Sequence, residues 1–177
     1  MSGGWIFVCG PSGAGKDSVM ALAQQIVGGR RDIVFARRMV TRPTQQGSDH
    51  DPVTESDFHA LVQASGLRWH WQAHGFHYGI AKDYAAEVKA GRRVVINGSR
   101  AHVQALLSSP DIRLIQITAG PNQLAQRLAQ RGRDTASAID ERMTRNTRFS
   151  GLKTDCLIVN DGELAVAARA LADYLVK

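Results

Sequence analysis

The sequence predicts an α/β fold with a mainly parallel sheet flanked by helices. Three observations carry this. Short apolar runs alternate with stretches of helical periodicity along nearly the whole chain. The first apolar run, residues 5–9, passes directly into a glycine-rich turn and then into a helical pattern. No internal repeat, low-complexity tract or interdomain linker interrupts the 177 residues, a length that suits one domain with a real core.

Taken in order, Trp5-Ile6-Phe7-Val8-Cys9 reads as the first strand. After the turn, Val19, Leu22, Ala23 and Ile26 recur at helical spacing, and Gly28-Gly29 ends that helix. Ile33–Ala36 is expected as a second strand. Residues 37–79 are less regular, with breaks at Pro43, Gly47, Pro52, Gly66 and Gly75. Within them, residues 55–64 read as a short helix with Phe58, Leu61 and Val62 inward. Residues 67–71 and 76–80 read as strands of a small subdomain. A helix is expected over residues 83–90, ended by Gly91, then a compact buried strand over 93–96. Residues 101–107 are helical, with Pro110 past their end, and 112–117 form the next core strand. Pro121 suits the first turn of a helix bearing Leu124 and Leu128. A second helix follows over 137–148, with Ile139 and Met143 on one face. Cys156–Val159 is the last strand and residues 164–175 the closing helix.

The turn itself, Gly10-Pro11-Ser12-Gly13-Ala14-Gly15-Lys16-Asp17-Ser18, has the strand and helix flanks that a phosphate-binding P-loop requires. Glycines let the backbone wrap with its N–H groups inward. The helix N-terminus adds partial positive charge and Lys16 a full one. The predicted ligand is the β- and γ-phosphates of a nucleotide. One position departs from the motif. Ser or Thr normally follows the lysine and meets Mg²⁺; here Asp17 stands there, with a hydroxyl one residue later at Ser18. Two readings of Asp17 are open. It is a hard oxygen ligand for Mg²⁺, or it is a carboxylate that favours the first helical turn.

Composition narrows the classes. No stretch approaches the ~20 apolar residues of a membrane span. The N-terminus enters a strand at once, so no signal peptide is expected. Cys9 and Cys156 both lie in apolar strand-like runs and read as small buried residues, not as a disulfide or metal framework. A cytoplasmic protein is the simplest expectation. The formal net charge is +6, which suits either nucleic acid or a small polyanionic substrate. Arg127, Arg131, Arg133, Arg142, Arg145 and Arg148 crowd one segment without interleaved aromatic residues. Arginine forks suit phosphate oxygens, and single-strand binders need aromatic platforms. A phosphate-rich small molecule is therefore favoured over nucleic acid.

Several segments combine in order over nearly the whole chain. They are the P-loop, Val40-Thr41-Arg42-Pro43, His74-Gly75-Phe76-His77-Tyr78-Gly79, Arg131-Gly132-Arg133 and Ile158-Val159-Asn160-Asp161. Together they resemble the guanylate kinase family, which transfers the γ-phosphoryl of ATP to GMP. The resemblance implies a P-loop NTPase core over about residues 1–36 and 92–177, a small acceptor-binding subdomain over about 37–91, and an arginine-rich lid over about 131–148. It fails where guanine is read. Pro43-Thr44-Gln45-Gln46 lacks the family's second arginine, and Trp69 stands where the family has a glutamate. Tryptophan offers only a donor where guanine needs an acceptor.

A narrower group keeps these departures. Gly15-Lys16-Asp17-Ser18, Trp69-His70 and Asn97-Gly98-Ser99-Arg100-Ala101-His102 resemble the ribose 1,5-bisphosphate phosphokinase family of the phosphonate-degradation pathway. The resemblance implies transfer from ATP, with Mg²⁺, to the 1-phosphate of a sugar bisphosphate, giving 5-phosphoribosyl 1-diphosphate. It implies Lys16, Arg131, Arg133 and Arg142 as catalytic groups. Gly10, Pro11, Ser12, Gly13, Ala14, Gly15, Lys16, Asp17 and Ser18 are expected to hold the nucleotide. Arg38, Arg42, Tyr78, Asn97, Arg100 and Arg145 are expected on the acceptor, with Asp17 on the metal.

Asn97 stands where guanylate kinases tend to place a carboxylate, so Asp17 supplies what Asn97 lacks; the equal alternative is that Asn97 caps the next helix. Arg37 and Arg38 also read as solvated loop arginines, His102 as structural, and Arg127 and Arg148 as an exposed arginine-rich face. Trp69, Trp71 and Phe76 either wall the acceptor site or pack in the core. Three other functions stand beside this one: a guanylate or other nucleoside-monophosphate kinase, a non-catalytic interaction module, and a nucleic-acid binder. Oligomeric state, monomer or homodimer, is left open.

Overall fold

A computed structural model describes residues 3–44, 49–106, 109–130 and 151–177. Its first layer is a five-stranded parallel sheet built from β1 (Gly4–Cys9), β2 (Ile33–Ala36), β7 (Arg93–Asn97), β8 (Ile112–Thr118) and β9 (Cys156–Val159), in the order β2-β7-β1-β8-β9. β1 is central because every residue from Trp5 to Cys9 is apolar and buried, which only a strand covered on both faces tolerates. Alternate residues divide between two cores. Ile6 and Val8 join Val95, Ile115 and Ile117 on one face. There α1 (Lys16–Val27) and α6 (Leu164–Val176) pack on the sheet and on each other. Ala167, Ala168, Leu171, Ala172 and Leu175 make the buried stripe of α6.

The other face carries Trp5, Phe7, Cys9, Val94 and Ile96. A second sheet of four strands covers it, in the order β4-β3-β6-β5. Its strands are β3 (Arg38–Val40), β4 (His50–Pro52), β5 (Leu67–Ala73) and β6 (Phe76–Ala81). β5 pairs antiparallel with β6, setting Trp71 opposite Tyr78 and Trp69 opposite Ile80. Those four side chains share a face. Trp69 meets the rings of Trp5 and Phe7 edge-on, at centroid distances of 4.6 and 5.2 Å. The opposite face is covered by α2 (Glu55–Gln63) through Phe58, the one buried residue of that helix. Thr54 caps α2, accepting from the Asp57 backbone N–H at 3.0 Å.

Most elements lie where their patterning puts them. β3 and β4 are the exceptions, in the stretch read as irregular. Each spans three residues, too short for a two-residue period to register. β4 ends in Pro52 and sits at the sheet edge, the position that tolerates proline. The helix expected over 101–107 is α4 (Arg100–Gln104); turn bonds from Ala105 N–H to His102 and from Leu106 N–H to Val103 close it early. α3 (Tyr84–Lys89) and α5 (Pro121–Gln130) complete the described helices. The helix expected over 137–148 lies outside the described residues.

Cys9 and Cys156 are free thiols. Burial pushes Cys9 up to about 11, against the opposing charges of Lys16 and Arg100. Among the described residues no helix is long and apolar enough to cross a membrane.

Phe58 is 1% exposed and joins α2 to the second sheet. Phe58→Ala is expected to lower stability by about 3–5 kcal/mol, read by urea denaturation. A loss below 1 kcal/mol contradicts this packing.

Candidate active site

The loop of residues 10–15 leaves the carboxyl end of the central strand, where open parallel sheets collect ligands. Its glycines answer two constraints. A Cβ at Gly10 would stand 1.9 Å from the Ile117 carbonyl oxygen, so β8 runs against the loop and excludes any side chain. Gly15 has φ 76° and ends the loop at the first turn of α1. Gly13 faces Leu124 and Leu128 of α5. Asn160, 3% exposed, donates from Nδ2 to the Ala14 carbonyl at 2.8 Å, and its backbone N–H bonds the Thr118 carbonyl at 2.7 Å. The loop is therefore clamped by β8, α5 and the chain after β9, independently of any nucleotide.

Arg127 belongs to this clamp. It donates from Nη2 to the Asn160 carbonyl at 2.9 Å, and its buried Nη1 has no hydrogen-bond partner among the described residues. That nitrogen lies 3.8 Å from where a Gly15 Cβ would be. The exposed face expected for Arg127 is thus wrong: a half-buried guanidinium stands over the phosphate loop. Asn160 was read only as part of the terminal segment Ile158-Val159-Asn160-Asp161 and given no place in the site; its contact with the loop depends on sheet order.

Asp17 and Asn97 come together. Asn97 ends β7, in register with Val8, and its Nδ2 donates to Asp17 Oδ1. Asn97 is 8% exposed, and its Oδ1 is buried without a hydrogen-bond partner among the described residues. It does not cap the next helix, whose N-cap is Ser99. Arg38 reaches the same carboxylate from β3, Nη2 standing 3.6 Å from Asp17 Oδ1. Arg38 is no solvated loop arginine: its side chain is 11% exposed and its guanidinium lies 5.7 Å from the Tyr78 ring centre. Burial pushes its pKa below the ordinary value, opposed by the charge of Asp17. Arg37 does face solvent, paired with Asp49 and Asp51.

Tyr78, 7% exposed, stacks on Trp71 at 5.6 Å and 7°, and Trp71 stacks in turn on His102 at 4.7 Å and 18°. Burial lowers the His102 pKa, as does the charge of His70, so the ring in this stack is held towards its neutral form. Trp69 packs in the core, whereas Trp71 flanks Tyr78 directly. Arg42 sits over Phe76 at 5.6 Å, and its carbonyl accepts from the Nε2 of buried His50 at 3.0 Å. Arg100 opens α4, and its charge acts on Cys9 beside the loop. Lys16 opens α1 and acts on Cys9 likewise; Ser18 is exposed on the same turn. Arg131, Arg133, Arg142 and Arg145 lie outside the described residues.

Among the described residues no group of three or more His, Cys, Asp or Glu is arranged to hold a metal. Asp17 with the orphaned Asn97 oxygen beside it is a different donor set: one carboxylate and one amide, both hard oxygens. It fits Mg²⁺, which takes one or two protein oxygens and completes its shell with phosphates and water.

No family model matches the chain. The ribose 1,5-bisphosphate phosphokinase PhnN of Burkholderia mallei is 40% identical over 174 residues, covering 96% of this chain and 94% of that protein. PhnN of Acidiphilium cryptum is 38% identical over 176 residues, covering 99% and 94%. A crystal structure of guanylate kinase from Anaplasma phagocytophilum superposes with a TM-score of 0.72 over 99% of this chain and 85% of that one. Its 16% sequence identity speaks for a shared fold alone. At these identities over nearly the full length, the chain belongs to the ribose 1,5-bisphosphate phosphokinase family.

Proposed function

We propose that this protein phosphorylates ribose 1,5-bisphosphate at its 1-phosphate, giving 5-phosphoribosyl 1-diphosphate and ADP, with ATP as donor and Mg²⁺ as cofactor. The observation that carries the reading is that Asp17, at the end of the glycine-rich loop, meets the buried guanidinium of Arg38 from the second sheet. The phosphate loop and Lys16 stand on one side, and Arg38 and Tyr78 on the other.

The chemistry asks for little more. A phosphate monoester with a second pKa of about 6 is already an anion at neutral pH, so no general base is needed. An oxygen of the 1-phosphate forms a bond to the γ-phosphorus, and the bond from that phosphorus to the β,γ-bridging oxygen breaks. The chain offsets charge, aligns the two anions and excludes water. Loop N–H groups from Gly13 to Ser18 and Lys16 hold the donor phosphates, and Arg127 adds a buried donor above the loop. Arg38, Arg42, Arg100 and Tyr78 take the acceptor's two phosphates. Asp17, with Asn97 beside it, would hold Mg²⁺, which neutralises donor phosphate charge when bound. Arg131, Arg133 and Arg142 are assigned to the moving phosphoryl group and Arg145 to the acceptor. Trp69, committed to the core against Trp5 and Phe7, leaves no acceptor for a guanine edge at that position. The reading places the protein in the cytoplasm, with a small-molecule acceptor and no nucleic-acid partner.

Supplying ATP with ribose 1,5-bisphosphate, GMP and other monophosphates, and following products by phosphorus NMR, tests the assignment. The sugar bisphosphate is expected to be the preferred acceptor, and Lys16→Ala is expected to lower kcat by about 10²–10³-fold. Turnover of GMP well above the sugar bisphosphate overturns the reading.

The exchange of a carboxylate between two positions has its own measurement. Asp17→Ser is expected to raise the Mg²⁺ concentration needed for half-maximal rate, and adding Asn97→Asp to recover part of the loss. No recovery in the double variant removes that assignment.

A further inference from the structure

Asp17 and Arg38 belong to different halves of the site. Asp17 opens α1 at the end of the phosphate loop. Arg38 lies on β3 of the second sheet, over the ring of Tyr78. They meet at 3.6 Å, and the Arg38 Nε is buried without a hydrogen-bond partner among the described residues. A buried guanidinium is costly unless an anion stands by it. Asp17 is the carboxylate that stands beside it.

We propose that Asp17 is shared between the two substrates and that its ion pair with Arg38 couples their binding. With no substrate present, the carboxylate holds the acceptor-side guanidinium. With both present, Asp17 turns to the donor's cation and Arg38 to the acceptor's phosphate, whose oxygens also satisfy the orphaned Nε. Asn97 donates to Asp17 throughout and keeps the carboxylate oriented. Whatever draws Arg38 away leaves Asp17 a stronger cation ligand, and the converse holds by linkage, so each substrate favours the other. Arg38 thereby acts as a positioning residue for the donor side, a role that its place on the acceptor side does not reveal. The Asp17 side chain is 38% exposed, so water screens the pair from one side and the coupling belongs at the low end of the usual range.

The inference rests on the donor-site reading above, in which Asp17 faces Mg²⁺, and not on the identity of the acceptor. The test therefore uses no acceptor. Calorimetry with the ATP analogue AMP-PNP, in Mg²⁺ and in EDTA, gives two dissociation constants whose ratio measures the gain due to the metal. In Arg38→Gln that ratio is expected to rise about 5-fold over the wild type, because Asp17 no longer serves a guanidinium. Asp17→Asn is expected to shrink it, and adding Arg38→Gln to Asp17→Asn to change it no further. A lost side chain that merely loosened packing would move both constants together. Arg38→Met, which keeps an unbranched aliphatic stem in the buried position, repeats the measurement should the glutamine variant not fold. An unchanged ratio in folded Arg38 variants, beside a clear metal gain in the wild type, overturns the coupling alone. No metal gain in the wild type overturns the donor-site reading and the coupling with it.

Discussion

The edge-on contact of Trp69 with Trp5 and Phe7 sets the geometry on which everything else rests. It fastens the four-stranded sheet over the outer face of β1, the strand that ends in the phosphate loop. Because Trp69 and Tyr78 share one face of that sheet, fixing the first also fixes where the second and its neighbour Arg38 stand. Aromatic packing in the core thus sets the separation of the glycine-rich loop surface from the Arg38 and Tyr78 surface. Aromatic pairs of this kind contribute about 0.5–1.5 kcal/mol beyond their buried area, and here their orientation matters more than their energy.

Positive charge would repel itself across such a junction if nothing intervened. Asp17 is the intervening carboxylate, and its place directly after the P-loop lysine is what allows one side chain to face both surfaces. A serine there would present an oxygen to a cation but offer no charge to Arg38. Asn97 completes the arrangement as a donor that orients the carboxylate, something a second carboxylate in its place could not do.

Much of this was legible from residue order. The parallel sheet follows from β1 and β7, compact and almost wholly buried apolar runs, and the phosphate loop from its glycines and flanks. What escaped was of two kinds. β3 and β4 are too short for periodicity, yet β3 carries Arg38, so the burial of that arginine had no local signal. The clamp on the loop joins Ala14, Arg127 and Asn160, which are far apart in the chain and come together only through sheet order. Arg127 resembled its exposed neighbours because a helical pattern gives a face but not what lies opposite it. The departures at Asp17, Asn97 and Trp69 were visible, and the first two were read as a pair; the hydrogen bond from Asn97 to Asp17 was not.

The central claim is that two phosphates lie against one junction, lined by Lys16 on the donor side and Arg38 on the acceptor side. A crystal structure with AMP-PNP, Mg²⁺ and ribose 1,5-bisphosphate tests it most directly. The account predicts a 1-phosphate oxygen in line with the γ-phosphorus, Arg38 on the acceptor and Asp17 turned to the cation. A sugar bisphosphate bound away from Arg38 and Tyr78, or Asp17 still paired with Arg38 when both substrates are present, would contradict it.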